Sequence, residues 1–251
     1  MDLLTGHAVS LGSLLSTVDV SNCFFAFQQL KYRPPPKVMA ELWNVAILNI
    51  SIADGKTLAG LLDSVVKLGH KPSNESLTIV SESLLYRWDE VTPRVASNSF
   101  ISFVRLGFMP GKDFLKSIDE KFQAEFERFS NRDIALCLSA FRLAKQIPSE
   151  AVLGRVLAKV NGSFDEFNER DIVNILFSLS KLNVDPGLQN LQKTSNAMIS
   201  DPASCTGEST LRILDAYVST GYEPSETFID LVRQKNKKTN ARSGQLIRRF
   251  R

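Results

Sequence analysis

Apolar residues along this chain fall into columns that return every 38 residues. Phe24, Leu62, Phe100, Leu138, Leu176 and Leu214 make one column, and Phe27, Val65, Phe103, Phe141, Leu179 and Tyr217 make another three residues later. Four residues upstream of the first column stand Val20, Leu58, Ala96, Ile134, Ile172 and Thr210. Three residues beyond the second stand Leu30, Leu68, Leu106, Ala144, Leu182 and Thr220. Steps of four, three and three residues trace one face of an α-helix, so each repeat holds an amphipathic helix A. Pro34, Pro72, Pro110, Pro148, Pro186 and Pro224 mark the register: six of the ten prolines share one phase at intervals of 38 residues. A fixed period of this length is the signature of a repeat architecture.

Counted from that proline, position −8 holds only small residues, Ala26, Ser64, Ser102, Ala140, Ser178 and Ala216, which predicts close approach of a neighbouring helix. Asp19, Thr57, Asp133, Asp171 and Ser209 at −15 are the expected N-caps, with Val95 the exception, and give a helix A of about 11 residues. Gly69, Gly107, Asn183 and Gly221 at −3 suit a left-handed residue that ends the helix, and the proline beyond blocks its resumption. After the proline, Ser73, Gly111, Ser149, Gly187 and Ser225 predict a second cap. Apolar columns then recur at +5 (Met39, Leu77, Leu115, Leu153, Leu191, Ile229) and +8 (Leu42, Val80, Ile118, Val156, Thr194, Val232). This is helix B, expected antiparallel to A.

A single helical hairpin cannot bury its own apolar face, whereas stacked hairpins bury a continuous core. The expected fold is all-α, a right-handed α-solenoid of about six 38-residue hairpins spanning residues 13–233 as one domain. Residues 1–12 fall in the phase of a helix B, with Leu4 on the +8 column, and read as a partial helix or cap from a longer array. From Gln234 the chain reads as a basic tail over residues 234–251, too poor in apolar residues to pack.

Composition narrows the chemistry. The chain of 251 residues is 43% hydrophobic and carries a formal net charge of +3, so any nucleic-acid contact is local rather than that of a bulk polycation. Cys23, Cys137 and Cys205 form no Cys-x-x-Cys pair and point to a reducing compartment without a disulfide framework or zinc cage. Cys23 and Cys137 share a column with Leu61, Ile175 and Ile213 and read as core residues. His7 and His70 lack partners at helical spacing, and no P-loop, nucleophile elbow or positioned carboxylate pair is present. The reading is therefore of a non-enzyme without cofactor or metal. The most apolar stretch, Ala40 to Ala53, is interrupted by Glu41, Asn44 and Asn49 and is too short for a membrane span. The N-terminus lacks the basic region of a secretory signal and the arginines of a transit peptide.

The near-neutral total hides an asymmetry between layers. Summed over positions −16 to −1, the six A segments carry +5, while the first five B segments and their connectors carry −7. Lys56, Arg94, Arg132 and Arg170 recur at −16, Asn22, Asn98 and Asn174 at −12, and Lys67, Arg105 and Lys181 at −5. Offsets of 4 and 7 place them on one helical stripe. A lone Lys or Arg beside a helix start is ordinarily a solvated residue; recurrence in four adjacent repeats is not ordinary. Such a stripe would neutralise phosphates with its cations, and its Asn side chains would read base edges. Lys235, Lys237, Lys238, Arg242, Arg248, Arg249 and Arg251 form either a solubilising tail or a second phosphate-binding arm.

Asp171-Ile172-Val173-Asn174-Ile175-Leu176-Phe177-Ser178-Leu179-Ser180-Lys181-Leu182 and Leu30-Lys31-Tyr32-Arg33-Pro34-Pro35-Pro36 carry a resemblance to the organellar octotricopeptide-repeat proteins and the similar heptatricopeptide repeats of apicomplexan mitochondria. The resemblance covers about residues 13–233; the triple proline is followed by Lys37-Val38 where that family usually has Glu-Trp, and no RAP domain follows. It implies a mitochondrial protein, with the plastid as alternative, that binds RNA. With the array short and its end basic, it implies a noncatalytic, structural rRNA-binding component of a mitochondrial ribosome, with neighbouring ribosomal proteins as partners. The alternatives are a protein-interaction scaffold in another organellar complex and a transcript stability or processing factor.

Overall fold

The structure, a computed structural model, describes residues 15–237. Its described residues are all-α: twelve α-helices and no strand. The chain divides into two compact units, Met1–Phe129 and Ser130–Arg251. The first contains α1 (Thr17–Gln29), α2 (Pro36–Leu48), α3 (Gly55–Leu68), α4 (Asn74–Tyr86), α5 (Pro93–Arg105) and α6 (Lys112–Ala124). The second contains α7 (Asn131–Ala144), α8 (Glu150–Gly162), α9 (Glu169–Lys181), α10 (Leu188–Ser200), α11 (Gly207–Thr220) and α12 (Glu226–Lys235). Odd-numbered helices are the A helices and even-numbered ones the B helices.

Within the first unit α3 packs along both α1 and α5, and within the second α9 packs along both α7 and α11; these A–A pairings are far more extensive than those between B helices. The −8 column explains why. Ser64, Ser102, Ala140, Ser178 and Ala216 are all buried, and their small side chains let neighbouring helix backbones approach. Ala26, on α1, is exposed. Columns −14, −10 and −7 are buried in all six repeats, as is +8, so the sequence periodicity maps directly onto the core. Of the +5 column only Leu115 is merely half-buried. Aromatic rings thicken the first unit's core: Phe114 meets Trp88 at 5.4 Å and Phe103 at 5.5 Å between centroids, both edge to face. Trp43, 2% exposed, satisfies its indole by donating to Ser76 Oγ at 2.9 Å.

The start of each A helix lies three residues earlier than the acidic column suggested. Ser16, Asp54, Thr92, Ser130, Asn168 and Thr206, at −18, are the N-caps, and each side chain accepts from the backbone N–H of the −15 residue. The −15 residues are N3 positions, and Asp19, Asp133 and Ser209 return a hydrogen bond to the cap backbone as capping boxes. Helix A therefore has 13 or 14 residues. The expected B caps stand as read: Ser73, Ser149 and Ser225 accept from the N–H of Ser76, Val152 and Phe228.

Every A helix ends on a left-handed residue. All six residues at −3 are left-handed, Gly69, Gly107, Asn183 and Gly221 as expected and also Lys31 (φ 53°) and Lys145 (φ 54°). In five of them the N–H of the next residue returns to the −7 carbonyl, for example Tyr32 to Phe27 at 2.9 Å and Gln146 to Phe141 at 3.0 Å. That is the Schellman closure, which satisfies carbonyls the helix end would otherwise orphan. The six phase prolines are all buried beneath it. The −2 side chains pack back, Tyr32 on Phe27 and Phe108 on Phe103, while His70 lies 6.4 Å from Trp43.

Packing continues slightly past the expected limit of the array. α12 runs to Lys235, and buried Asn236 donates to Thr210 Oγ1 at 3.2 Å and to the Val232 carbonyl at 2.9 Å. A hydrogen-bonding amide docks the chain where apolar residues have run out. Among the described residues no helix is long and apolar enough to cross a membrane.

Candidate nucleic-acid interface

With the caps at −18, the recurrent cations at −16 occupy the second residue of their helices. Lys56 sits on α3, Arg94 on α5, Arg132 on α7 and Arg170 on α9, all exposed. None of the four forms an ion pair among the described residues. The position is electrostatically adverse, because the first turn carries the positive end of the helix dipole; a cation there is disfavoured by about 0.3–1 kcal/mol at low ionic strength. Acidic neighbours offset part of that. Asp54 lies close enough to Lys56 to feel its charge, although the hydrogen bonds from Thr57 are the main reason its carboxyl is held below the ordinary range. Local helix energetics thus do not account for Lys or Arg at this place in four successive A helices.

The other two columns of the stripe are engaged to different degrees. Lys67 pairs with Asp63 at 2.6 Å on its own helix. Lys181 of α9 reaches across to Asp215 of α11 at 2.6 Å and to Ser219 Oγ at 3.1 Å. Arg105 is exposed and makes no ion pair among the described residues. Of the amides, Asn22 is exposed, Asn98 donates to the Arg94 carbonyl at 2.8 Å, and Asn174 Oδ1 accepts from Arg212. Asn98 and Asn174 thus spend hydrogen-bonding capacity inside the protein, so the stripe presents charge more freely than amide edges. Lys235 is half-buried and Lys237 exposed. Lys238, Arg242, Arg248, Arg249 and Arg251 lie outside the described residues.

Two further arginines, which the recurrent columns do not single out, stand together in the second unit. Arg142 of α7 and Arg212 of α11 lie over the ring of Phe177 on α9, at 4.9 Å and 5.7 Å from guanidinium carbon to centroid, and Lys181 Nζ lies 5.7 Å from the same ring. Arg212 shares the −12 column with the asparagines, a signal that was available. Arg142 stands at −6 among Gln28, Val66, Val104, Ser180 and Val218, and nothing in its column marks it.

The remaining reactive groups are placed for packing. Cys137 and Cys205 are buried and Cys23 is half-buried; burial pushes the Cys137 thiol far above its usual range, which suppresses the thiolate. Burial also lowers the pKa of His70. Among the described residues no group of three His, Cys, Asp or Glu side chains could hold a metal ion. No family model matches the chain, and no curated protein matches its sequence.

Proposed function

We propose that this protein is a noncatalytic RNA-binding helical-repeat protein, a right-handed α-solenoid of six hairpins that belongs with the octotricopeptide and heptatricopeptide type and serves as a structural rRNA-binding component of a mitochondrial ribosome. The observation that carries the reading is the set Lys56, Arg94, Arg132 and Arg170: one position in A helices of both units, exposed and without an ion pair among the described residues although the helix dipole disfavours them. Their natural counter-charge is external, and within each unit two such cations on neighbouring A helices repeat as the charges of a phosphodiester strand do. Asn98 and Asn174 are engaged within the protein, so the ligand is held through its backbone more than read through its bases.

The test is a titration of the intact protein with single-stranded RNA, followed by fluorescence anisotropy at several salt concentrations. Reversing Arg94, Arg132 and Arg170 to Glu is expected to weaken binding and to flatten the dependence of log K on log salt by roughly 2, about 0.7 for each lost contact. Unchanged affinity and slope would overturn the reading.

A scaffold role is the second reading, favoured by Leu48, Ile52 and Tyr86, which are 83%, 69% and 89% exposed near the C-terminal ends of α2 and α4. RNase treatment of the native particle separates the two, since release of the protein supports RNA and retention in a nucleic-acid-free complex supports the scaffold. Crosslinking and sequencing of the bound RNA then separates rRNA from a messenger.

A further inference from the structure

The Arg142–Phe177–Arg212 cluster has an excess of positive charge and one unmet donor. Lys181 is neutralised by Asp215, whose side chain is 9% exposed, and Arg212 is paired with Glu208, whose side chain is 74% exposed. Arg142 has no carboxylate partner among the described residues, and its Nε is buried without an acceptor. A charged donor left unsatisfied is costly, so the position favours an acceptor that arrives from outside. Phe177, 8% exposed, is the common platform: a guanidinium lying over a ring face keeps its in-plane N–H fork available. Arg212 is further held by Asn174, which fixes one cation of the pair before any ligand arrives. Burial, and after it the neighbouring Arg212, pull the Arg142 pKa below the ordinary arginine range.

We propose that Arg142 and Arg212, set on Phe177, form a binding site for one phosphate group; resting on the RNA reading above, that group is a phosphodiester of the bound strand. A phosphate supplies several acceptor oxygens to two planar forks at once, including the acceptor that Arg142 Nε lacks. The exposed Glu208 is the group that yields, because Arg212 can exchange a rim carboxylate for the incoming anion at little cost.

The experiment uses the full chain labelled at arginine nitrogen and follows the Nε–Hε signals by NMR. Inorganic phosphate and, separately, a short single-stranded RNA are the probes. Saturable shifts of the Arg142 and Arg212 signals with RNA are expected, together with an RNA affinity about tenfold lower in Arg142→Gln and restored in part by Arg142→Lys. The wild-type signals keep the test open even if a variant folds poorly. Signals that stay fixed with both probes overturn the phosphate site, whatever the −16 reversals do to RNA binding. Signals that move with inorganic phosphate while RNA fails to bind keep the site and remove the RNA reading.

Discussion

The same two columns make different ion pairs in the two units. At −9 and −5 the first unit has Asp63 and Lys67, which pair within α3 with side chains 36% and 48% exposed. The second unit has Asp215 and Lys181 at those positions, but the lysine of α9 reaches the aspartate of α11, whose side chain is only 9% exposed. One pair decorates a helix; the other ties two helices together beside an aromatic ring. The A segments of the first unit sum to +5 and those of the second to zero, and in the second three cations gather around the Phe177 ring beside a buried carboxylate. Identical spacing therefore carries two electrostatic designs, and burial decides between them.

Removing one carboxylate from each pair gives the sharpest contrast. Asp215→Asn strands Lys181 over Phe177 and is expected to destabilise by about 1–3 kcal/mol in urea unfolding, since a largely desolvated partner is lost. Asp63→Asn is expected to change stability by less than about 0.5 kcal/mol, the usual worth of an exposed i,i+4 pair. Equal losses would break the comparison.

The turns test the opposite claim, that the units share their backbone design. Lys145 adopts a left-handed conformation that Gly69 and Gly107 adopt without strain, so Lys145→Gly is expected to stabilise by about 1 kcal/mol, read as a raised Tm. A lowered Tm would mean that the lysine side chain contributes more than its backbone loses.

The smallest effect is the acid response of one cap. Hydrogen bonds from Thr57 hold Asp54 below 3.8, so its contribution is present above that value and is lost as pH falls through the lower folded pKa. The equivalent caps of the second unit, Ser130, Asn168 and Thr206, carry no charge. Asp54→Asn should keep the cap at pH 7 and remove this acid loss, followed as amide exchange in the first turn of α3 between pH 7 and pH 3. An acid loss that persists in the variant would place its origin elsewhere.

Much of the fold was legible because apolar periodicity and burial are the same physical fact seen from two sides. Columns −14, −10, −7 and +8 needed no tertiary information. The caps were misplaced by three residues because a capping box puts polar side chains at both N-cap and N3, and Asp133 resembles a cap as closely as Ser130 does. The uniformly polar −18 column would have resolved it. The site was less legible. Lys56, Arg94, Arg132 and Arg170 stood out by recurrence, but the engagement of Lys181 required knowing that α9 borders α11, and Arg142 joins Phe177 from a third helix.

Because every A helix ends on a left-handed residue ahead of a buried proline, whatever side chain stands at −3, the joints are interchangeable parts. Lys31 and Lys145 already occupy what glycine holds elsewhere. Segments spanning one proline-to-proline interval could be duplicated, deleted or shuffled within the array without redesigning a bend, leaving variation free to concentrate on the outward positions of the rods.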